Sequence, residues 1–257
     1  MIENITPLII TYNEEQNIAR TLDHLVWARR IVVIDSGSTD KTVEIVRKYS
    51  RAEVFHRDFD NCASQWNFGN DQVYSEWVLS LDADYELSDD LITELRALSS
   101  SATTDGYSVN FVYRIFGQPL RGSLYPPRVV LYRKVKAHYR NEGHTQRVII
   151  AGRILPLTGV IFHDDRKPLA RWFASQRRYA HDEAEHLLEP SRKKLGGIDR
   201  IRLAVWPAPL AIFIYTLTIK GCLLDGWRGW YYALQRLLFE TMLALEIIDQ
   251  RLRRQAR

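Results

Sequence analysis

Three short apolar runs, each ending abruptly in polar residues, constrain the fold of this chain more than any other feature. Thr6-Pro7-Leu8-Ile9-Ile10-Thr11-Tyr12 stops at Asn13-Glu14-Glu15, and Arg30-Ile31-Val32-Val33-Ile34 stops at Asp35-Ser36-Gly37-Ser38-Thr39-Asp40. The third, Trp77-Val78-Leu79-Ser80-Leu81, stops at Asp82-Ala83-Asp84. Runs that are apolar at successive positions read as strands covered on both faces, which is the habit of parallel sheets. A helix with Ile18, Leu22 and Leu25 on one stripe separates the first two, and another helix runs to about Tyr49. A short strand Glu53-Val54-Phe55 and a helix near Ser64 to Val73 lead to the third run. The alternation predicts an α/β fold with a mixed, mainly parallel sheet flanked by helices.

Ser88-Asp89-Asp90 is expected to cap a further helix. From Gly106 the runs shorten, Tyr107 to Tyr113 and Val129 to Tyr132, and are read as an antiparallel extension of the sheet. A helix from Leu169 to Leu188 follows, then a basic linker over 190–202 and a helical pattern from Trp230 to Leu252. The expected division is one main domain over 1–189, in two halves (1–100 and 101–189), and a basic, aromatic helical extension over 190–257.

Charge is distributed unevenly. The first hundred residues hold 9 Lys and Arg against 18 Asp and Glu, and the remainder holds 26 against 13. An acidic front suits a divalent cation, and a basic back suits an anionic membrane, a phosphorylated substrate or nucleic acid. The Arg residues at 251, 253, 254 and 257 match no nucleic-acid recognition motif, and no nucleic-acid partner is expected. Two cysteines, Cys62 and Cys222, exclude a disulfide scaffold and point to a reducing compartment. The opening Met1-Ile2-Glu3-Asn4 carries no basic leader, so a cytoplasmic active part is expected.

Residues 203–219 are uncharged, 17 in all, and Pro207 and Pro209 interrupt the run. That length reaches only the lower end of a bilayer span, which leaves a full span, a buried helix and an interfacial helix open. Lys193, Lys194, Arg200 and Arg202 before the run, Lys220 and Arg228 after it, and Trp206, Tyr215, Trp227, Trp230, Tyr231 and Tyr232 around it favour contact with a membrane surface.

Ligands of parallel α/β sheets bind beyond the carboxyl ends of the strands, where this chain places Tyr12, Asn13 and Glu14, then Asp35 to Asp40, then Asp82 and Asp84. Two carboxylates at i and i+2 repel unless a positive charge joins them, and Mg²⁺ or Mn²⁺ suits such hard oxygen ligands and also accepts phosphate oxygens. Asp40 taken alone reads as a helix N-cap.

In this order, Pro7 to Glu15, Val33 to Thr42 and Leu81 to Asp84 resemble family 2 glycosyltransferases of the GT-A fold. The likeness is strong over about residues 5 to 100, and it implies that 1–189 is a GT-A catalytic domain with a nucleotide-binding half (1–100) and an acceptor-side half (101–189). It extends more weakly through Gln65-Trp66-Asn67-Phe68-Gly69 to His163 and the helix Trp172 to Leu188, where it is similar to the lipopolysaccharide-core and exopolysaccharide branch. The resemblance implies that Tyr12 stacks on uracil, Asp35 accepts the imide N–H, Asp82 meets the ribose or the metal's water shell, and Asp84 ligates the metal on the diphosphate. It implies that Pro7, Asn13, Glu14, Ser36 and Gly37 shape the nucleotide pocket and that Gln65, Trp66 and Asn67 line the donor sugar. Inverting members need one general base. Glu142 is the candidate, with His144 orienting the acceptor or a phosphate, and His163-Asp164-Asp165 is the other possibility. One related branch has a His-Glu pair where this chain has Thr145 and Gln146. Arg121, Arg128, Arg133 and Arg177 are candidates to clamp the diphosphate.

The activity this implies is transfer of a hexose from a nucleotide sugar, UDP-linked, to a hydroxyl of a lipid-linked or polysaccharide acceptor in cell-envelope glycan synthesis. The protein would lie peripherally on the cytoplasmic face of the inner membrane. A polyprenyl-phosphate acceptor, and a non-catalytic nucleotide-sugar or membrane-binding module, are the alternatives.

Overall fold

The computed structural model describes residues 1–99, 103–142, 145–189 and 196–256. In chain order the first elements are β1 (Ile5–Thr11), α1 (Ile18–Asp23), β2 (Ile31–Asp35), α2 (Thr42–Val46), β3 (Ala52–His56), α3 (Cys62–Gln72) and β4 (Trp77–Asp82). Next come β5 (Tyr85–Leu87), α4 (Asp89–Ala97), β6 (Gly106–Ile115), β7 (Gln118–Pro119), β8 (Arg128–Arg133), β9 (Ala137–Glu142), β10 (Thr145–Ile150) and β11 (Ile154–His163). The last are α5 (Leu169–Leu187), α6 (Gly197–Leu203), α7 (Pro207–Leu217) and α8 (Trp227–Gln255). Contacts divide the chain into two compact units, residues 1–119 with 125–167 and residues 120–124 with 168–257.

The first unit is built on one sheet in the order β3-β2-β1-β4-β8-β6-β11-β5, with β7 paired to β6 and β9-β10 as a separate ribbon. β3, β2, β1 and β4 are mutually parallel, as the apolar runs predict. Side chains alternate between two cores, one on each face. Ile5, Ile9, Ile31 and Val33 pack with Ile18, Leu22, Leu25, Leu91 and Leu95 of α1, α4 and the loop after α1. Leu8, Val32 and Ile34 pack on the opposite face with Ala63, Trp66 and Tyr139.

The second half of the sheet corrects the sequence reading. β8 is antiparallel to both β4 and β6, but β11 runs parallel to β6, so the extension is mixed. Ile154–His163 is a strand that the sequence reading does not contain; it carries Pro156 and Gly159, and its register with β6 shifts between Pro156 and Val160. The amide groups freed there find side-chain acceptors. Glu94 accepts from Thr158 N at 3.0 Å and Gly159 N at 2.9 Å, while Ser88, the side-chain N-cap of α4, accepts from Leu91 N at 3.1 Å and Val160 N at 3.2 Å.

The helix Leu169–Leu187, assigned from sequence to the acceptor-side half, packs in the second unit. Its Ala180, Ala184 and Leu187 form a core with Val205 and with Phe239, Leu243, Ala244 and Ile247 of α8. Arg202 is held within it by Glu183 at 3.2 Å and Glu240 at 2.6 Å. Part of the segment read as a linker is α6, and Pro207 opens α7 instead of breaking it, because the first turn of a helix has no use for a proline N–H. Among the described residues no helix is long and apolar enough to cross a membrane.

Gly159 allows β11 to lie directly on α4. A Cβ there would stand 2.4 Å from Leu91 Cα and 2.6 Å from Leu91 N, both backbone atoms that cannot swing aside. Gly159→Ala is expected to lower unfolding free energy by about 1–3 kcal/mol, measured by urea denaturation. A variant as stable as wild type would show that the strand and helix separate freely.

Candidate functional site

The parallel register aligns the strand ends. Thr11 of β1 pairs with Asp35 of β2, and Ile10 of β1 with Asp82 of β4, so the loops after all three strands emerge along one edge.

The loops after β1 and β2 are bonded into one layer. Asn13 adopts the left-handed conformation at φ 55°, where Asn is tolerated better than other side chains with a Cβ. Its amide oxygen accepts from Thr39 N at 2.6 Å and Asp40 N at 3.3 Å, while its own N–H donates to Ser38 Oγ at 2.7 Å. Glu14 N donates to Thr42 Oγ1 at 2.6 Å and Glu15 N to Asp40 Oδ2 at 3.2 Å. Asp40 also accepts from Thr42 N at 2.9 Å, so it braces the start of α2 and ties the two loops together. Asp35 folds back on its own loop, accepting from Gly37 N at 3.0 Å, Ser38 N at 2.9 Å and the Ser38 hydroxyl at 2.5 Å. Gly37 provides the turn at φ 85°.

On this layer Tyr12 remains 51% exposed, an aromatic face open at the strand edge. Gln65 is fully buried, and its amide donates to Ser36 Oγ at 2.7 Å and to Arg57 O at 2.9 Å, so it supports the loop from beneath. Trp66 is in the core, stacked on Tyr139 at 5.2 Å, and Asn67 bonds the Tyr139 backbone at 3.0 Å and 2.9 Å. Pro7 is buried within β1 opposite Leu79, four residues and about 13 Å of strand rise short of the edge.

Beyond β4 the charges concentrate. Asp84 is buried, and its Oδ2 lies 3.3 Å from His163 Nε2 and 3.7 Å from Lys167 Nζ. Lys167 also meets Glu14 at 2.7 Å and Asp165 at 3.4 Å. Burial would raise the Asp84 carboxyl, but the facing His163 and Lys167 outweigh it and hold the group well below the usual carboxylate range. Burial together with the neighbouring Asp84 charge raises Asp82, against the pull of Arg128 and Tyr85. Burial likewise pushes Glu14 up to about 7, against the pull of Lys167. Arg128 stands over the Tyr125 ring at 4.5 Å, and Tyr125 bonds the Tyr85 hydroxyl.

Behind this edge, Arg20 ties the loops together. It bonds Glu86, Asp164 Oδ2 at 3.2 Å, Asp164 O at 2.8 Å and Asn17 Oδ1 at 2.7 Å. Asp164 is fully buried and also takes Arg166 at 2.7 Å and Gly117 N at 2.9 Å, while Asp165 accepts from Asn17 at 3.2 Å. Neither carboxylate of the His163-Asp164-Asp165 segment is left without a protein partner.

Among the described residues, buried polar atoms without a hydrogen-bond partner include Thr11 Oγ1, Asp84 Oδ1 and His163 Nδ1 at the edge and Asp164 Oδ1 behind it. Among the described residues no three His, Cys, Asp or Glu side chains are grouped to hold a metal ion by themselves. A pair of carboxylates with one unsatisfied oxygen nevertheless fits a divalent ion that completes its shell with water and substrate phosphate, which is how Mg²⁺ is ordinarily held.

The structure therefore brings together Tyr12, Asn13, Glu14, Asp35, Ser36, Gly37, Asp82 and Asp84, with Gln65 beneath and Pro7 apart. His144 and the side chain of Glu142 lie outside the described residues. Arg133 is held by Glu76 and by the Thr104 carbonyl at 3.0 Å, and Arg121 belongs to the second unit, 3.5 Å from Asp225. Arg177 is exposed on α5. Of the two proposed arginine clamps in the first unit, Arg128 and Arg133, Arg128 stands at the acidic edge. Lys167 was missed from sequence because it arrives through the unread β11; the signal available was the charged cluster His163-Asp164-Asp165-Arg166-Lys167 after an apolar run.

The chain belongs to glycosyl transferase family 2, whose model matches residues 7–153. An uncharacterized glycosyltransferase of Rickettsia conorii is 26% identical over 241 residues, covering 88% of this chain and 84% of the relative. The lipopolysaccharide core biosynthesis glycosyltransferase LpsC of Rhizobium meliloti is 31% identical over 102 residues, 37% of this chain and 38% of that protein. Among solved structures, S. aureus TarS 1-349 in complex with UDP-GlcNAc has a TM-score of 0.49 at 16% identity, covering 96% of this chain and 91% of that one.

Removing Arg20 would leave Glu86 and the fully buried Asp164 short of their shared cation. Arg20→Met is expected to destabilise the protein by about 3 kcal/mol, read as a lower urea midpoint at unchanged slope. A change below measurement error would assign the network's stability to Arg114 and Arg166 alone.

Proposed function

We propose that this protein transfers a hexose from a UDP-sugar to a hydroxyl of a lipid-linked or saccharide acceptor in cell-envelope glycan synthesis, with inversion at the anomeric carbon and with a bound Mg²⁺ or Mn²⁺. The observation that carries this reading is the Asp82–Asp84 pair at the edge shared with Tyr12 and the Asp35 loop, with Asp84 Oδ1 buried and unpartnered. The likeness to LpsC over part of the chain supports an envelope-glycan acceptor.

Tyr12 offers its exposed ring to the base, and the bonded Asn13–Ser38 layer keeps that ring in place without rearrangement on binding. Asp35 Oδ1 keeps lone-pair capacity for the imide N–H, since it takes one hydroxyl while Oδ2 takes both backbone donors. Asp82 and Asp84 would hold the divalent ion, which when bound supplies Lewis-acid charge against the leaving diphosphate. Lys167 and Arg128 add fixed positive charge at the same edge. Glu142 takes the proton from the acceptor hydroxyl as its oxygen attacks. The new glycosidic C–O bond forms in line with the breaking bond to the diphosphate, which leaves as the nucleoside diphosphate.

Purified protein supplied with UDP-hexoses, Mn²⁺ and envelope extract should yield glycosylated product by mass analysis, and chelation should abolish it. Asp84→Ala is expected to cut transfer at least about 10²-fold while the protein melts as a folded species. Full activity in that variant, or in the presence of chelator, removes the metal–diphosphate reading. Glu142→Gln is expected to lower turnover by about 10²–10⁴-fold with donor affinity unchanged; unchanged turnover would point to a phosphate acceptor, which is already ionised and needs no base.

A further inference from the structure

The second unit presents an apolar face that its own packing leaves open. Along α7 and the turn after it, Trp206, Leu210, Ile214 and Ile219 are 82%, 63%, 58% and 73% exposed. Spacings of four residues place Trp206, Leu210 and Ile214 on one side at the start and middle of the helix, and Ile219 lies in the turn beyond its end. Ala208, Thr216 and Leu217 are the buried residues of α7. Leu224 and Trp227, 71% and 64% exposed, continue the face into the start of α8, and Trp230 of α8 meets Phe213 of α7 edge to face at 6.0 Å.

The charge around this face has one sign. From Arg200 to Phe239 the sole acidic residue is Asp225, and its side chain is 8% exposed and already bonded to Arg121 N at 3.0 Å. Lys220 lies over the Tyr215 ring at 5.9 Å and Arg228 over the Trp227 ring at 6.0 Å, so cations border the aromatic residues. Apolar side chains at the centre, tryptophan and tyrosine around them and unopposed cations at the rim form the pattern of a helix lying in the headgroup layer of an anionic bilayer. No helix among the described residues is long and apolar enough to cross, and a contact through this face lies in the plane of one leaflet.

We infer that α7, with the turn and first helical residues that follow it, is an in-plane docking surface for an anionic lipid bilayer. This rests on the second unit alone and stands whether or not the transfer chemistry is as described above.

The full chain is mixed with vesicles of phosphatidylcholine alone and with about one-third phosphatidylglycerol, and the bound fraction is measured by sedimentation. Binding to the anionic vesicles is expected, weakened by about 1 M salt. Leu210→Glu with Ile214→Glu should lower the partition coefficient at least about tenfold, and Lys220→Gln and Arg228→Gln roughly fivefold each. Leu245→Glu, 61% exposed elsewhere on α8, should bind like wild type. Should the double variant fail to fold, vesicles with brominated acyl chains are expected to quench wild-type fluorescence more than that of Trp206→Ala. Wild-type protein that ignores anionic vesicles, a double variant that binds as before, or a wild-type dimer that the double variant turns into a monomer would each overturn the inference; the last would make the face a contact between copies of this chain.

Discussion

Negative charge crowded at one sheet edge is the constraint on which the rest of the first unit depends. Parallel strands end together, so Glu14, Asp35, Asp82 and Asp84 are forced to the same side by the register of β1, β2 and β4. Left to themselves they would repel, and the fold answers with cations from far along the chain: Arg114 on Glu86, Arg166 on Asp164, Lys167 on Glu14 and Asp84. The acidic first hundred residues and the basic remainder, read from sequence as two surfaces for two partners, are in this part of the molecule largely one electrostatic system folded on itself. The basic excess that remains lies in the sequence of the second unit.

The strand-end positions were legible because local chemistry decides them. An unbroken apolar run followed by Asp or Asn can hardly be anything but a covered strand reaching solvent, and the resemblance carried by those residues named the family. What sequence could not give was how each polar group is used. Asn13 and Gln65 look like ligand-facing amides in a motif, yet both are occupied by backbone and side-chain partners inside the loops. The unsatisfied Asp84 oxygen, by contrast, is not consumed by a hydrogen bond within the fold.

β11 was illegible for a different reason. Pro156 and Gly159 weaken any strand reading, and the compensation comes from Glu94 and Ser88, more than sixty residues earlier. A strand sustained by distant side chains leaves no periodic trace in its own sequence. Missing it meant missing the route by which His163 and Lys167 reach the edge. Pro207 misled in the opposite sense: read as an interruption, it is the residue with which α7 begins.

The reversed direction of β8 has its own consequence. Because it runs against β4, with Trp77 opposite Arg133 and Leu79 opposite Leu131, its first residue emerges where β4 finishes. The edge is thus supplied from two kinds of connection, the tails of forward strands carrying acids and the entrance to a backward strand carrying Arg128. Substitutions in the Tyr125–Arg128 approach can retune the local potential while the loops after β1 and β2 keep their sequence.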